Sequence, residues 1–202
     1  MKKILVWDIP TRIGHWLLVA TFALSYLTGD SEETRLFHVA AGYALGGILI
    51  FRLFWAFSGT RYARLKSFLF TPGHVFGYLG SLLKGKPDHW IGHNPAGSYS
   101  IYLLVLLGIG TVVSGVATYQ EIGGDFSEEA HDILSYSMLC LVAIHLAGVV
   151  VSSVLHKENL ARSMITGYKQ GENNEAIESA KVPYAVLPIL LATLAGLLVF
   201  VT

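Results

Sequence analysis

The sequence predicts an all-α membrane protein: a bundle of four transmembrane helices, a fifth C-terminal span, and one helix lying in the membrane interface. Three observations carry this. Of 202 residues, 53% are hydrophobic and 14% charged, where a water-soluble chain carries about 25% charge. The mean hydropathy is +0.54. The apolar residues also come in long runs rather than alternating with charge, as expected when lipid replaces water around most of the surface.

A spanning helix needs about 20 mainly apolar residues. Five stretches qualify: about 13–28, 36–57, 99–119, 130–155 and 183–201. The first is short and is expected to start earlier, at a Thr11 cap just after Pro10. The fifth contains Pro188, which a membrane helix tolerates as a kink. The N-terminal apolar run is interrupted by Asp8, Pro10 and Arg12, with no small-residue cleavage site following, so it is expected to be retained rather than cleaved as a signal.

Residues 58–98 form a long connection. Within it, "TPGHVFGYLGSLLKGK" offers Thr71 as a cap and Pro72 at the first helical position. Val75, Phe76, Leu79, Leu82 and Leu83 make one apolar stripe, which predicts an interfacial helix over about 72–84. Residues 156–182 are polar and of mixed charge, and read as a linker. The chain thus divides into a membrane domain, 1–170, and a polar linker with the C-terminal helix, 171–202.

Charge sets the orientation. Lys2, Lys3 and Arg12 lie near the N-terminus, and Arg61, Arg64, Lys66, Lys84 and Lys86 lie in the long connection. The loop after the first span carries Asp30, Glu32 and Glu33 against Arg35; the loop after the third carries Glu121, Asp125, Glu128 and Glu129 and no base. The N-terminus and the long connection are therefore expected in the cytoplasm, and both acidic loops outside, in a multi-pass protein. Net charge is zero, which disfavours nucleic acid as a partner.

Four of the eight histidines fall in spans: His15, His38, His131 and His145. Polar groups there are expensive and usually functional. His131 and His145 are 14 residues apart, just under four turns, so they share one face at depths roughly 21 Å apart. His38 begins the second span at the outer level, matching His131. His15 lies 14 residues before Gly29 at the outer turn, matching the depth of His145. Counted from the cytoplasmic ends instead, His15 could match His156, which sits in a boundary context beside Lys157. Two bis-histidine sites stacked across a four-helix bundle suit two b-type haems. The single cysteine, Cys140, cannot form an internal disulfide, and no C-x-x-C-H is present for covalent haem attachment.

Arg52 lies 14 residues after His38 and reaches the inner depth. A buried guanidinium calls for an anion, which a haem propionate would supply; snorkelling to the cytoplasmic interface is the other reading. Arg12, one turn before His15, is a second candidate. Gly42, Gly46, Gly108, Gly115 and Gly148 lie near these histidines, where absent side chains would make room for a flat macrocycle or for close helix packing. A metal-ion transporter could also use intramembrane histidines, but would ordinarily add carboxylates or thiolates along a path.

The stretches "RIGHW" (12–16), "FHVAAGYALGGILIFRLFWAFSGTRYAR" (37–64), "GHNPAGSYSIYLLVLLGIGTVVSG" (92–115) and "AHDILSYSMLCLVAIHLAGV" (130–149) resemble the bacterial cytochrome b561 family, in particular its Ni/Fe-hydrogenase b-type cytochrome subunits. The resemblance covers about residues 5–169. It implies a four-helix bundle holding two haem b groups in the cytoplasmic (inner) membrane, with axial ligands His15, His38, His131 and His145. The fifth span lies outside that shared core.

Members of the family pass electrons between the quinone pool and an outer partner such as a hydrogenase or a c-type cytochrome. One branch oxidises superoxide and reduces ubiquinone. The expectation is an electron-transfer subunit whose one bond-changing step is quinone oxidoreduction. The quinone is expected in the cytoplasmic half, near His93, Asn94, Arg61 and Arg64, although Asn94 and Pro95 also read as a helix start. His74 and His89 read as interfacial residues. Seven outer acids against one arginine should repel superoxide and attract a basic partner, so the relay is preferred to a superoxide oxidase.

Overall fold

The computed structural model describes residues 2–85 and 88–201; Lys86, counted above among the cytoplasmic positive charges, lies outside them. Seven α-helices and a two-stranded sheet make up the described regular structure besides short 3₁₀ turns: β1 (Lys2–Leu5), α1 (Ile9–Thr28), α2 (Arg35–Ser58), α3 (Pro72–Leu83), α4 (Pro95–Tyr119), α5 (Asp125–His156), α6 (Leu160–Thr166), β2 (Tyr168–Gly171) and α7 (Val186–Leu197).

The long helices form where the apolar runs predict them, and α1 and α4 start on side-chain caps. α1 does not begin at a Thr11 cap. Its N-cap is Asp8, whose Oδ1 accepts from Thr11 N at 2.7 Å, with Pro10 in the first turn. The preference of a cap for a short acidic side chain outweighs the later threonine, because the carboxylate meets both the orphan N–H groups and the helix dipole. Asn94 caps α4 in the same way, accepting from Gly97 N at 2.7 Å, with Pro95 in the first turn.

Among the described residues, four helices are long and apolar enough to cross a membrane: Glu32–Ser58, Pro95–Tyr119, Asp125–His156 and Val182–Phe200. α1 is not among them. At 20 residues its length of about 30 Å suffices, so composition sets it apart: Pro10, Arg12 and His15 lie in its first two turns. α5, with 32 residues, is about 48 Å long and outreaches the roughly 30 Å hydrocarbon layer.

Side-chain contacts fix the bundle's order. α1 and α2 are antiparallel, with Gly14 against Phe51 and Ser25 against His38. α2 meets α4 through Gly46 and Val112, and α4 meets α5 through Gly110 and Leu134. Both acidic loops, after α1 and after α4, therefore lie at one end of the bundle. β1, the 59–94 connection and the 157–181 segment lie at the other.

The C-terminal helix is no peripheral anchor. α7 packs along α2 and also contacts α1. A Cβ at Gly47 would fall 2.3 Å from Leu191 O, and Gly196 lies against Ala40 and Ala44. The segment read as a polar linker folds as well. β2 pairs antiparallel with β1, Lys2 opposite Gly171 and Leu5 opposite Tyr168, and Ile9 N donates to Ala180 O. Ile4, Val6, Trp7, Tyr62 and Ile177 form a small core beneath this sheet. On α3, Phe76, Leu79 and Leu83 are exposed while Tyr78 is buried against Ser152 of α5, an arrangement that suits a helix laid along the interface.

Candidate functional site

His38 ends the first turn of α2 and His131 lies in the second turn of α5. They face each other with ring centroids 6.0 Å apart and planes at 90°. Each ring is oriented by a backbone carbonyl of a neighbouring helix: His38 Nδ1 donates to Ser25 O at 2.8 Å, and His131 Nδ1 to Thr111 O at 2.9 Å. A carbonyl only accepts, so both protons sit on Nδ1 and both Nε2 atoms keep a lone pair. This is the tautomer a metal-binding imidazole needs.

The local sequence explains why those carbonyls are reachable. Ser25 is in the last turn of α1, where carbonyls lack an intrahelical partner. Each carbonyl also lies four residues before a glycine, Gly29 or Gly115. A Cβ at Gly29 would stand 3.3 Å from His38 Nδ1, and one at Gly115 would stand 2.7 Å from His131 Cε1. The sequence reading missed this role; the Ser25/Gly29 and Thr111/Gly115 spacing was the available signal.

The inner pair is arranged more loosely. His145 and Arg52 are both electrostatic neighbours of His15. The rival ligand His156 is committed elsewhere, with Nδ1 2.8 Å from Ser152 O and Nε2 3.1 Å from Asp88 O. Arg52 donates to Ala63 O at 3.0 Å and lies over Phe68, so its guanidinium reaches the connection that follows α2. Arg12 donates through Nη2 to Ile165 O, and Trp16 Nε1 donates to Met164 O at 3.3 Å. Arg12 Nε is buried with no partner.

These residues fit haem b. Two metal–imidazole bonds of about 2 Å each, plus half a ring at either end, span a distance of the order seen between His38 and His131. α5 packs along α4 but not closely against α1 or α2, which leaves room between the histidine-bearing helices. A Cβ at Gly42 or Gly148 would meet nothing within 4 Å. Arg12 Nε is a buried donor that a propionate would satisfy. Among the described residues, no group of three or more metal-ligating side chains is present.

Of the residues expected around a quinone, Arg61 and His93 line one cavity of about 540 Å³, together with Tyr62, His89, Trp90 and Glu175. Asn94 and Arg64 are spent structurally, on the α4 cap and on a 2.7 Å bond to Gly59 O. The His93 ring lies 4.8 Å from Trp7 and 4.7 Å from Phe68, centroid to centroid, and its Nδ1 is buried without a partner. Burial, reinforced by the Arg52 and Lys169 charges, pushes His93 down to about 3.

Nearby, Lys169 Nζ pairs with Glu158 at 3.5 Å, with side chains 4% and 12% exposed. Burial lowers Lys169 from its ordinary value, opposed by Glu158. Asp8 was also missed as a hub. It is 1% exposed and, besides capping α1, accepts from Thr60 Oγ1 at 2.5 Å and Trp55 Nε1 at 3.2 Å.

Residues 6–167 match the family model described as prokaryotic cytochrome b561. A probable Ni/Fe-hydrogenase B-type cytochrome subunit of Rhizobium leguminosarum bv. viciae is 26% identical over 86% of this chain and 92% of its own length. A probable Ni/Fe-hydrogenase 1 B-type cytochrome subunit of Escherichia coli (strain K12) is 29% identical over 57% of this chain and 60% of its own. A similarly named subunit of Rhodobacter capsulatus is 24% identical over 83% and 81%. No solved structure gives a significant match.

Proposed function

The chain belongs to the prokaryotic cytochrome b561 family, and from that premise we propose that it carries electrons across the bacterial inner membrane between the quinone pool and a periplasmic redox partner. Two haem b groups would be held, one by His38 and His131 and one by His15 and His145. When bound, they supply reversible one-electron chemistry at iron. The observation that carries the reading is the outer pair: two imidazoles 6.0 Å apart with their planes at 90°, each with its Nδ1 proton spent on a carbonyl and its Nε2 free.

The chain's own residues do the rest. Ser25 and Thr111 carbonyls hold the outer rings with the proton on Nδ1 and fix their orientation. Arg12 and Arg52 bring positive charge to the inner end, where cofactor carboxylates would need it. In this reading the quinone binds beside His93, on the inner side. With the N-terminus in the cytoplasm, the end bearing Asp30, Glu32, Glu33, Glu121, Asp125, Glu128 and Glu129 faces the periplasm. That charge favours a basic partner surface, on a c-type cytochrome or a hydrogenase-like complex. The relatives named as hydrogenase cytochrome subunits support the second of these.

The purified protein should give a reduced b-type spectrum with two haems per chain. Alanine at His15, His38, His131 or His145 should remove one haem each. A folded but haem-free preparation, or full haem content after changing His38 and His131 together, would overturn the assignment. Quinol-driven haem reduction measured with and without a c-type cytochrome separates the relay from a superoxide oxidase.

A further inference from the structure

We propose that α3 and the lysines flanking it form a docking surface for anionic phospholipid, in the membrane leaflet on the β1 side of the bundle. The face concerned is Phe76, Leu79 and Leu83, which recur at i, i+3 and i+7 and so lie on one side of the helix. They are 73%, 42% and 91% exposed, and Leu69 just ahead of the helix is exposed as well. An apolar stripe left open in this way calls for a partner outside the chain.

The stripe cannot turn inward, because the other side of α3 is already engaged. Tyr78 is buried, with its hydroxyl 3.4 Å from Ser152 Oγ on α5. Ahead of α3, Tyr102 donates to Phe68 O at 2.7 Å and Tyr99 to Phe70 O at 3.2 Å, while the Phe70 ring packs edge-on to Trp90. Ser152 lies near the end of α5, and Tyr99 and Tyr102 lie near the start of α4. α3 is therefore fixed where two spans leave the hydrocarbon. Exposed apolar residues of those spans, Leu103 and Leu106 on α4 and Val151 and Val154 on α5, meet the same membrane.

An interfacial position alone does not choose a lipid; the charge does. Between Gly59 and Lys84 the chain carries Arg61, Arg64, Lys66 and Lys84 and no acid. Arg64 is engaged with Gly59 O. Lys66 stands before α3 and Lys84 caps its end, and both are exposed. Bases thus bracket the apolar stripe, so that acyl chains can cover the leucines and phenylalanine while headgroup phosphates meet the ammonium groups. A zwitterionic headgroup offers those cations no net charge. An anionic one, as on phosphatidylglycerol, does.

The test uses the haem-loaded full-length protein in bilayers of equal parts phosphatidylglycerol and phosphatidylcholine. A nitroxide on Leu83→Cys in a Cys140→Ser background should collide with oxygen more than with a water-soluble nickel chelate. One on Leu106→Cys should do the same, and one on Asn174→Cys the reverse. Native mass spectrometry of the extracted protein should show phosphatidylglycerol retained in preference to phosphatidylcholine. Lys66→Gln with Lys84→Gln should lower that preference about 5-fold, the effect of one engaged base, with haem content unchanged. The control pair Lys2→Gln with Lys3→Gln removes the same charge and should leave the preference as in wild type. A nitroxide at position 83 that meets the chelate as freely as one at position 174 would overturn the docking surface and leave the stripe to a protein partner. A preference unchanged in the Lys66 and Lys84 pair, lost equally in the control pair, or abolished by added inorganic phosphate would overturn the choice of anionic lipid.

Discussion

Gly115 lies directly against the imidazole of His131: a Cβ built on it would stand 2.7 Å from Cε1 and 3.0 Å from Nδ1. The contact is possible only with hydrogen at that position, and it leaves Thr111 O open to His131 Nδ1. Gly115→Ala should therefore push the ring off its anchor. The expected outcome is partial or complete loss of one haem per chain, with helix content by circular dichroism unchanged. Retention of two haems with an unaltered outer-haem potential would show that the ring tolerates the extra methyl.

Gly42 makes the opposite case, since a Cβ there meets nothing within 4 Å. One turn after His38, that space is where the outer macrocycle is proposed to lie. Gly42→Leu should fill it and lower haem content from two to one per chain without lowering thermal stability. Full haem content would show that the space serves something else.

Asp8 ties α1 to the end of α2 through Trp55 and Thr60. Asp8→Ala removes an N-cap and leaves two buried donors unpaired, a destabilisation of about 2–4 kcal/mol from the two effects together. Denaturation of the detergent-solubilised protein, followed by intrinsic tryptophan fluorescence, measures it. A change within about 0.5 kcal/mol, ordinary for a surface position, would contradict the hub.

Gly47 lets α7 approach α2 at backbone distance, with Leu191 O and Ala195 Cβ next to it. Gly47→Val should force the two helices apart, at a cost of about 1–3 kcal/mol. A disulfide engineered between α2 and α7, formed in the parent and lost in the variant, reports the displacement directly.

His93 is held down to about 3 by burial, against about 6.5 when unfolded. Between those values the unfolded chain binds the extra proton, so this group's contribution to stability rises with pH across that window and is lost as pH falls through it. His93→Gln should flatten the stability–pH curve between about pH 3 and 6.5. An unchanged slope would mean that the ring takes up its proton in place.

Much of the membrane-embedded part was legible because a lipid-facing helix obeys one-dimensional rules. Length against bilayer thickness located α2, α4 and α5, and the positions of His38 and His131 at the starts of two spans entering from the same side matched them in level. Where rules of that kind compete, the reading slipped. At the start of α1 both Asp8 and Thr11 are capping types, and only the hydrogen bond from Thr11 N identifies Asp8. The carbonyls of Ser25 and Thr111 carry no side-chain signature, so their part in orienting the ligands could be inferred only from the glycines four residues later.

The sequence by itself determined where four of the long apolar helices lie and which end of the bundle is acidic, since these depend on local composition. Tertiary structure alone decided that residues 168–171 pair with 2–5, that α7 seats in the notch at Gly47, and that His93 lines one cavity with Gly171 and Glu175. Each of these joins residues more than 70 positions apart. Such contacts depend on complementary shape and on buried hydrogen bonds between distant segments, which no local pattern encodes.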